Sequence, residues 1–377
     1  MNTKGCSYHL QRCRVPVLYK YLLKQGIVPF IAGFLLFTFI LLMDRIFQLF
    51  DMLIGKEIGL IQVVMIFVYS FPFIIALTVP MGVLVATIAT YGRMSGDSEF
   101  LALRSLGITP LRLMSPFLSI SLLIAIGMSL FNIYVLPEAN YQLKNRLVKI
   151  SRLRPTLRLQ QGRFNEISRG YTIWADSINH ATSGLKGVKI YEELSGESPR
   201  VIYARSGDMY VAGDSLTLLL RDGEFHRFNP THPTNYRILK FTTHSISIPL
   251  GGRKGGSVMR SAREMNLQQL LQHASGSRSK REKWRYLLEA HKKFSIPVAS
   301  IVFVILGVPL GMWIRQGGLG NGLTLSFIMF MVYYIMLVGG EEICERGNLY
   351  PSLSMWTPNI ILGLLGIFLF YKAINGK

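Results

Sequence analysis

The sequence is poor in charge. Only 16% of its 377 residues are Asp, Glu, Lys or Arg, against about 25% in a soluble domain. It is poorer still in acid, with 21 acidic residues to 41 basic ones, which leaves a net charge of +20. Cysteine is scarce: Cys6, Cys13 and Cys344 stand far apart and form no CxxC, so neither a disulfide framework nor a zinc site is implied. Catalytic signatures are missing as well. The seven histidines include no HExxH, and there is no GxSxG. Gly251-Gly-Arg-Lys-Gly-Gly-Ser257 is glycine-rich and basic, but it lacks the GxxxxGK[ST] spacing of a phosphate loop and has no helix start behind it.

What the chain has is apolar length. Half of its residues are hydrophobic, and mean hydropathy is +0.33. The runs 27–43, 61–90, 113–136, 295–314, 322–339 and 359–371 are nearly free of charge. An apolar stretch of about 18 residues or more reads as a membrane-spanning helix, and Trp356 and Tyr371 flank the shorter last run. Six spans are therefore expected, three before and three after a long polar segment. This excludes a wholly soluble, secreted or disordered protein. The first span is read as retained over 27–49, because a long polar stretch precedes it and no small-residue cleavage site follows. Residues 1–14 are expected to be a loose extension, with regular pattern from Val15. Gly317-Gly318 and Gly339-Gly340 read as helix ends, and Pro72, Pro80 and Pro309 as bends within spans.

Orientation follows from Lys and Arg in the short loops. Lys4, Arg12, Arg14, Lys20 and Lys24 precede the first span. Arg93, Arg104 and Arg112 follow the second, Arg315 the fourth, and Lys372 and Lys377 the last. The opposite loops carry Asp51, Lys56 and Glu57, and Glu341, Glu342, Glu345 and Arg346. Both termini are thus expected in the cytoplasm, with the middle segment on the far side, where ATP is not at hand for the glycine-rich loop.

The middle segment, about 137–290, changes period. Its apolar residues alternate over 170–176, 188–191, 201–205, 215–221 and 236–243. Those runs are rich in branched and aromatic residues and read as strands. Gly, Asp, Asn and Ser clusters such as Ser206-Gly-Asp208 and Ala212-Gly-Asp214 read as turns, so a sandwich, barrel or jelly roll is expected. Residues 251–282 form a Gly-, Ser- and Arg-rich stretch, and Trp284–Lys293 reads as a helix entering the fourth span. Between 137 and 293 there are 27 basic and 13 acidic residues. With spans on either side, that excess suits an anionic lipid or glycolipid and not nucleic acid.

Two sites stand out. In the loop 91–112, Ser95 or Asp97 is placed to cap a short helix over about 98–106, with Asp97 and Glu99 favourable in its first turn. Gly107 ends that helix in the left-handed conformation, and Pro110 prevents its continuation. This is either an interfacial turn or a helix that docks into a motor subunit. At the other end of the first span, Asp44 and Arg45 lie near the bilayer edge, where charge is costly. They read either as a mutually paired or snorkelling couple or as a contact for an anionic substrate.

The layout, together with Gly92-Arg-Met-Ser-Gly-Asp-Ser-Glu99, Ala102-Leu-Arg-Ser-Leu-Gly107, the run Ile296–Gly311, Glu341-Glu342, Gly347 and Met355-Trp-Thr-Pro-Asn359, resembles the lipopolysaccharide-export permease family of LptF/LptG type from about Val15 onward. The resemblance implies a membrane α-helical fold of six transmembrane helices, three plus three, with an inserted periplasmic all-β jelly-roll domain. Residues 1–136 hold the first three spans, 137–290 the β-domain and 291–377 the last three spans. It implies an ABC exporter in the inner membrane whose partners are a homologous permease chain, a cytoplasmic ATPase dimer, a periplasmic jelly-roll bridge protein and lipopolysaccharide. ATP and Mg would be bound by the ATPase, with no cofactor in this chain. It implies ATPase coupling at Glu99, with Asp97, Arg93, Arg104 and Gly107 around it, and lipopolysaccharide contact at Arg45, Gln48 and Lys56. Two other classes fit parts of the pattern. One is a polytopic membrane enzyme with a periplasmic substrate domain, which needs a catalytic cluster. The other is a mechanotransmitting ABC subunit that moves no lipid, which needs no apolar groove.

Overall fold

A computed structural model describes residues 6–53, 60–153, 159–168, 170–179, 182–193, 200–212, 215–227, 237–249, 260–314 and 319–375. Three long helices come first: α1 (Cys6–Leu53), α2 (Leu60–Gly96) and α4 (Pro110–Leu153), with the short α3 (Glu99–Ser105) between the last two. Among the described residues six strands follow: β1 (Asn165–Ser168), β2 (Tyr171–Asn179), β3 (Gly184–Glu192), β4 (Arg200–Ala212), β5 (Ser215–Arg227) and β6 (Arg237–Pro249). A 3₁₀ turn (Ala262–Glu264), α5 (Leu267–Gly276), α6 (Lys280–Trp313), α7 (Leu319–Glu345) and α8 (Pro351–Asn375) complete the order.

Among the described residues, six helices are long and apolar enough to cross a membrane, over Val17–Met43, Ile61–Gly96, Pro110–Val148, Lys280–Trp313, Gly320–Glu345 and Pro351–Asn375. A helix suits that setting because it satisfies its own backbone polar groups where no water is present. Contacts divide the chain into two units. The first is Met1–Asp44, Ser70–Asn140 and Arg260–Lys377; the second is Arg45–Tyr69 and Tyr141–Met259.

In the first unit, α6 is the central helix. Leu288, Phe303, Val304, Leu306 and Val308 are buried along it; one core cluster joins Leu288, Phe303 and Leu306 to Leu84 and Ile88 of α2, Tyr333 and Leu337 of α7, and Met355 and Leu362 of α8, and a second takes Val304 and Val308 to Leu22 of α1, Tyr91 of α2 and Phe117 of α4. Glycines let the backbones approach. A Cβ on Gly366 of α8 would stand 2.9 Å from the backbone of Leu306, and one on Gly311 of α6 would stand 2.9 Å from the carbonyl oxygen of Ile88. Small residues at such crossings are the usual means of packing helices in lipid. The outward faces stay apolar, as at Leu123, Ile335 and Leu364, which costs nothing against hydrocarbon tails.

The second unit holds one antiparallel sheet in the order β1-β2-β3-β4-β5-β6. Among the described residues each strand pairs only with its neighbours in sequence. Alternation sends Ile173, Ala175, Val188, Ile190, Ile202, Ala204, Leu218, Leu220 and Ile248 into one apolar core. The other face is polar and aromatic. One cross-strand row runs Trp174, Lys189, Tyr203, Glu224 and Lys240, with the Lys189 ammonium 4.2 Å from the Trp174 ring centroid.

Several local expectations are corrected. The chain is already helical from Cys6, because nothing in residues 6–15 is glycine or proline and a backbone ladder needs no apolar stripe. Gly339-Gly340 lies inside α7. There a Cβ on Gly340 would stand 2.7 Å from the Ser354 carbonyl oxygen, and the Ser354 hydroxyl donates to the Gly340 carbonyl, so this glycine serves a helix crossing. Gly317-Gly318 lies outside the described residues. Ser206-Gly-Asp208 is strand and not turn, with Gly207 opposite Leu220. The hairpin instead closes between Ala212 and Ser215. Helix α5 occupies what reads as polar linker; its start is a capping box between Asn266 and Gln269, and it buries Leu270 and Ala274.

Candidate functional site

Helix α3 is held from three sides. Phe100, Leu103 and Ile108 pack on a cluster containing Leu22 of α1, Tyr91 and Met94 of α2, and Leu113 and Phe117 of α4. The Tyr21 hydroxyl of α1 lies 3.0 and 3.1 Å from the two Glu99 carboxylate oxygens and donates to them. The Arg104 guanidinium donates to the Ile374 carbonyl of α8 at 3.0 Å, a favourable place for a cation because α8 ends there. Leu101 and Leu106 stand 68% and 69% exposed, so only Leu103 of the three leucines faces inward.

The helix begins differently from the expectation. Its N-cap is Ser98, in the left-handed region at φ 57°, with no side-chain cap. Asp97 is exposed, and its amide donates to the Arg93 carbonyl. The Ser95 hydroxyl instead donates to the Met312 carbonyl of α6 at 2.8 Å, and so ties the end of α2 to α6. Gly107 has φ 81°, and its amide returns to the Arg104 carbonyl at 3.0 Å. A side chain there would be strained. Asp97, Glu99, Arg104 and Gly107 are thus gathered on one short turn–helix–turn, with Arg93 just before it in the last turn of α2.

The second set is not gathered in the same way. Arg45 lies on α1 and is half-buried. The Gln48 side chain and the whole of Lys56 lie outside the described residues.

Three polar features escaped the sequence reading. Lys293 is only 7% exposed; its ammonium donates to the Asn132 carbonyl at 3.0 Å, and the Asn132 amide returns to the Lys293 carbonyl at 3.4 Å. The Asn359 amide donates to the Ser295 carbonyl and hydroxyl, both at 2.9 Å, and that hydroxyl donates to the Met355 carbonyl. Finally, Glu341 accepts from Arg263 at 2.9 Å and from Lys292 at 2.7 Å, while Glu289 accepts from Arg263 at 3.2 Å. Burial works against the Arg263 charge, but the carboxylates of Glu289 and Glu341 outweigh it and hold the guanidinium pKa above its ordinary value. No short-range pattern announces these links, which join residues far apart in the chain.

In the β-domain, burial beside Phe225 and Phe241 lowers the His244 pKa, against the opposing pull of Glu192. Burial, reinforced by donation to Glu192 at 3.0 Å, raises that of Tyr171.

Comparison with known proteins bears on the whole chain. A protein from Rickettsia prowazekii (strain Madrid E), described as uncharacterized protein RP871, is 22% identical over 269 residues, 70% of this chain and 72% of that one. The profile of the family described as lipopolysaccharide export system permease LptF/LptG matches residues 20–372. That match begins in α1 and ends in the last turn of α8, and it takes in the β-domain between the two helix triplets. A likeness of that extent is membership: the chain belongs to the LptF/LptG family of lipopolysaccharide export permeases, multi-pass proteins of the inner membrane and transport subunits rather than enzymes.

Proposed function

We propose that this chain is one of two related permease subunits of an ABC exporter. A cytoplasmic ATPase dimer drives it, and it withdraws lipopolysaccharide from the membrane and hands it to a jelly-roll bridge protein in the periplasm. Both termini lie in the cytoplasm and the β-domain in the periplasm, as the Lys/Arg bias of the short loops favours. ATP and Mg belong to the ATPase.

The observation that carries this reading is α3. It is a short helix with an exposed leucine, Leu101, a second at its C-cap, Leu106, a carboxylate and a guanidinium, and it is tethered to α1, α4 and α8. A push on such a helix reaches three spans at once. Glu99 makes the motor contact. Asp97, Arg93 and Arg104 supply charge around it, and Gly107 gives the turn its geometry. At the far end of α1, Arg45 with Gln48 and Lys56 meets the phosphates of the glycolipid, where an Arg guanidinium holds phosphate through two parallel hydrogen bonds.

Purification of the chain from its membrane with associated subunits is the test. An ATPase and a second six-span chain are expected to co-elute, with ATP hydrolysis only in their presence. Glu99→Ala is expected to leave the chain inserted while it weakens that association or separates hydrolysis from export. Arg45→Glu is expected to reduce export more than Arg45→Ala. ATP turnover by the single chain, or normal assembly and export by Glu99→Ala and Glu99→Lys alike, would refute the proposal.

A further inference from the structure

We infer that the exposed start of α6, together with Tyr350, is a landing site for an anionic saccharide standing above the bilayer. On the exporter reading proposed above, this is the phosphate- or carboxylate-bearing sugar head of the glycolipid. Between Arg278 and Arg285 the chain has five cations, Arg278, Lys280, Arg281, Lys283 and Arg285, and one carboxylate, Glu282. All five cations are exposed. Lys280 lies over the Trp284 ring, 4.6 Å from its centroid. The other four make no ion pair among the described residues. Most of these cations sit in the first turns of a helix, where the backbone dipole disfavours positive charge, so helix stability does not account for them.

Height selects the ligand. The apolar part of α6 runs from Phe294 to Trp313, about 30 Å at ~1.5 Å per residue, which matches the hydrocarbon core. The head-group layer adds about 5–7 Å on each side. Charge at that level is already matched internally, since Lys292 and Arg263 are held by Glu289 and Glu341. Arg285 and Lys280 lie roughly 13 and 21 Å along the helix beyond Phe294, above phospholipid head groups. A lipid's anion at that height has to stand on sugars.

An exposed aromatic ring supplies the second element. Tyr350 is 65% exposed, and its ring centroid lies 5.4 Å from that of Trp284. Trp284 thus fixes Tyr350 beside the cations. The faces of pyranose rings pack on such rings, while the cations take the attached anions through charge-assisted hydrogen bonds.

Photocrosslinking tests this in the full chain with its co-purifying subunits, held in phosphatidylcholine nanodiscs. A benzophenone amino acid replaces Ser279, whose side chain makes no cap hydrogen bond. The three probes are intact rough lipopolysaccharide, the lipid A obtained from it by mild acid hydrolysis, and phosphatidylglycerol. Crosslinking is expected to the intact glycolipid and not to the other two. The combined variant Arg281→Gln, Lys283→Gln, Arg285→Gln should lower the yield about tenfold, as should high salt. Tyr350→Ala should lower it less. Equal crosslinking to lipid A or phosphatidylglycerol, an unchanged yield in the triple variant, or adducts with protein alone would overturn the inference. A benzophenone at Ile46, beside Arg45, separates the two proposals. Crosslinking to lipopolysaccharide at Ile46 without any at Ser279 defeats only the saccharide site; none at either position defeats the exporter reading as well.

Discussion

Replacing Gly366 by alanine tests the seam on which the first unit is built. Alanine places a Cβ 2.9 Å from both the Cα and the amide nitrogen of Leu306, and 3.0 Å from the carbonyl carbon of Ile305. Carbon atoms prefer about 3.5–4.0 Å, and these neighbours are backbone, so they cannot rotate away. The α6–α8 crossing has to open by about 0.6 Å or more to reach that spacing. Opening it strains the Asn359–Ser295 hydrogen bonds that bind the same two helices. Overpacking of this kind costs about 1–3 kcal/mol, and alanine returns up to about 1 kcal/mol of helix propensity. The net expectation is a loss of up to roughly 2 kcal/mol, or a fall of up to about 3 °C in the melting temperature of a chain this long. Gly363, three positions earlier on α8, is the internal control. Its Cβ would meet only a Val302 methyl at 3.9 Å, an ordinary contact, so Gly363→Ala should be neutral or slightly stabilising. The assay is thermal unfolding in detergent, followed by size-exclusion recovery and tryptophan fluorescence. A Gly366→Ala chain that melts at or above the Gly363→Ala chain would refute the close-crossing argument.

In a chain without its native cysteines, a membrane-impermeant thiol reagent added to the periplasmic side should label Ser245→Cys on β6 and not Ser98→Cys beside α3; the reverse would invert the proposed orientation. Tyr21→Phe removes only the hydroxyl that holds Glu99, so it should shift the ratio of hydrolysis to export in the same direction as Glu99→Ala but less, by about threefold or under for one exposed hydrogen bond. No change at all would show that Glu99 is positioned by its helix alone. His244 has a folded pKa below its ordinary value, so the unfolded chain binds the proton more readily. Its contribution to stability is therefore present above about pH 6.5 and is lost as pH falls through the lower folded value. Hydrogen exchange along β5–β6, corrected for its intrinsic rate, should quicken on acidification in the natural chain and much less in His244→Phe.

Much of the architecture is legible in the sequence, because it depends on properties a short window contains. Apolar runs of membrane length mark the six spans, and alternation in period two marks five of the six strands, with the short β1 unannounced. Gly107 and Pro110 mark the end of a helix between α2 and α4, since the left-handed residue and the missing amide act on their own neighbours. Local reading failed where a residue's role is set by something distant. Gly340 and Gly207 have the form of breakers, yet one lies at a helix crossing and the other inside a strand, because the backbone or side chain opposite each leaves no room for a Cβ. Ser95 and Asp97 have the form of caps, yet the Ser95 hydroxyl is taken by α6. The partners of Glu99, Lys293 and Arg263 lie 78, 161 and 78 positions away. The sequence by itself determined which segments enter the membrane and which form a sheet, because burying apolar surface and satisfying the backbone are decided within each segment. Tertiary structure alone decided which charges meet, which glycines touch, and which cations at the start of α6 remain unpaired, because each of those depends on what another part of the chain brings within a few ångströms.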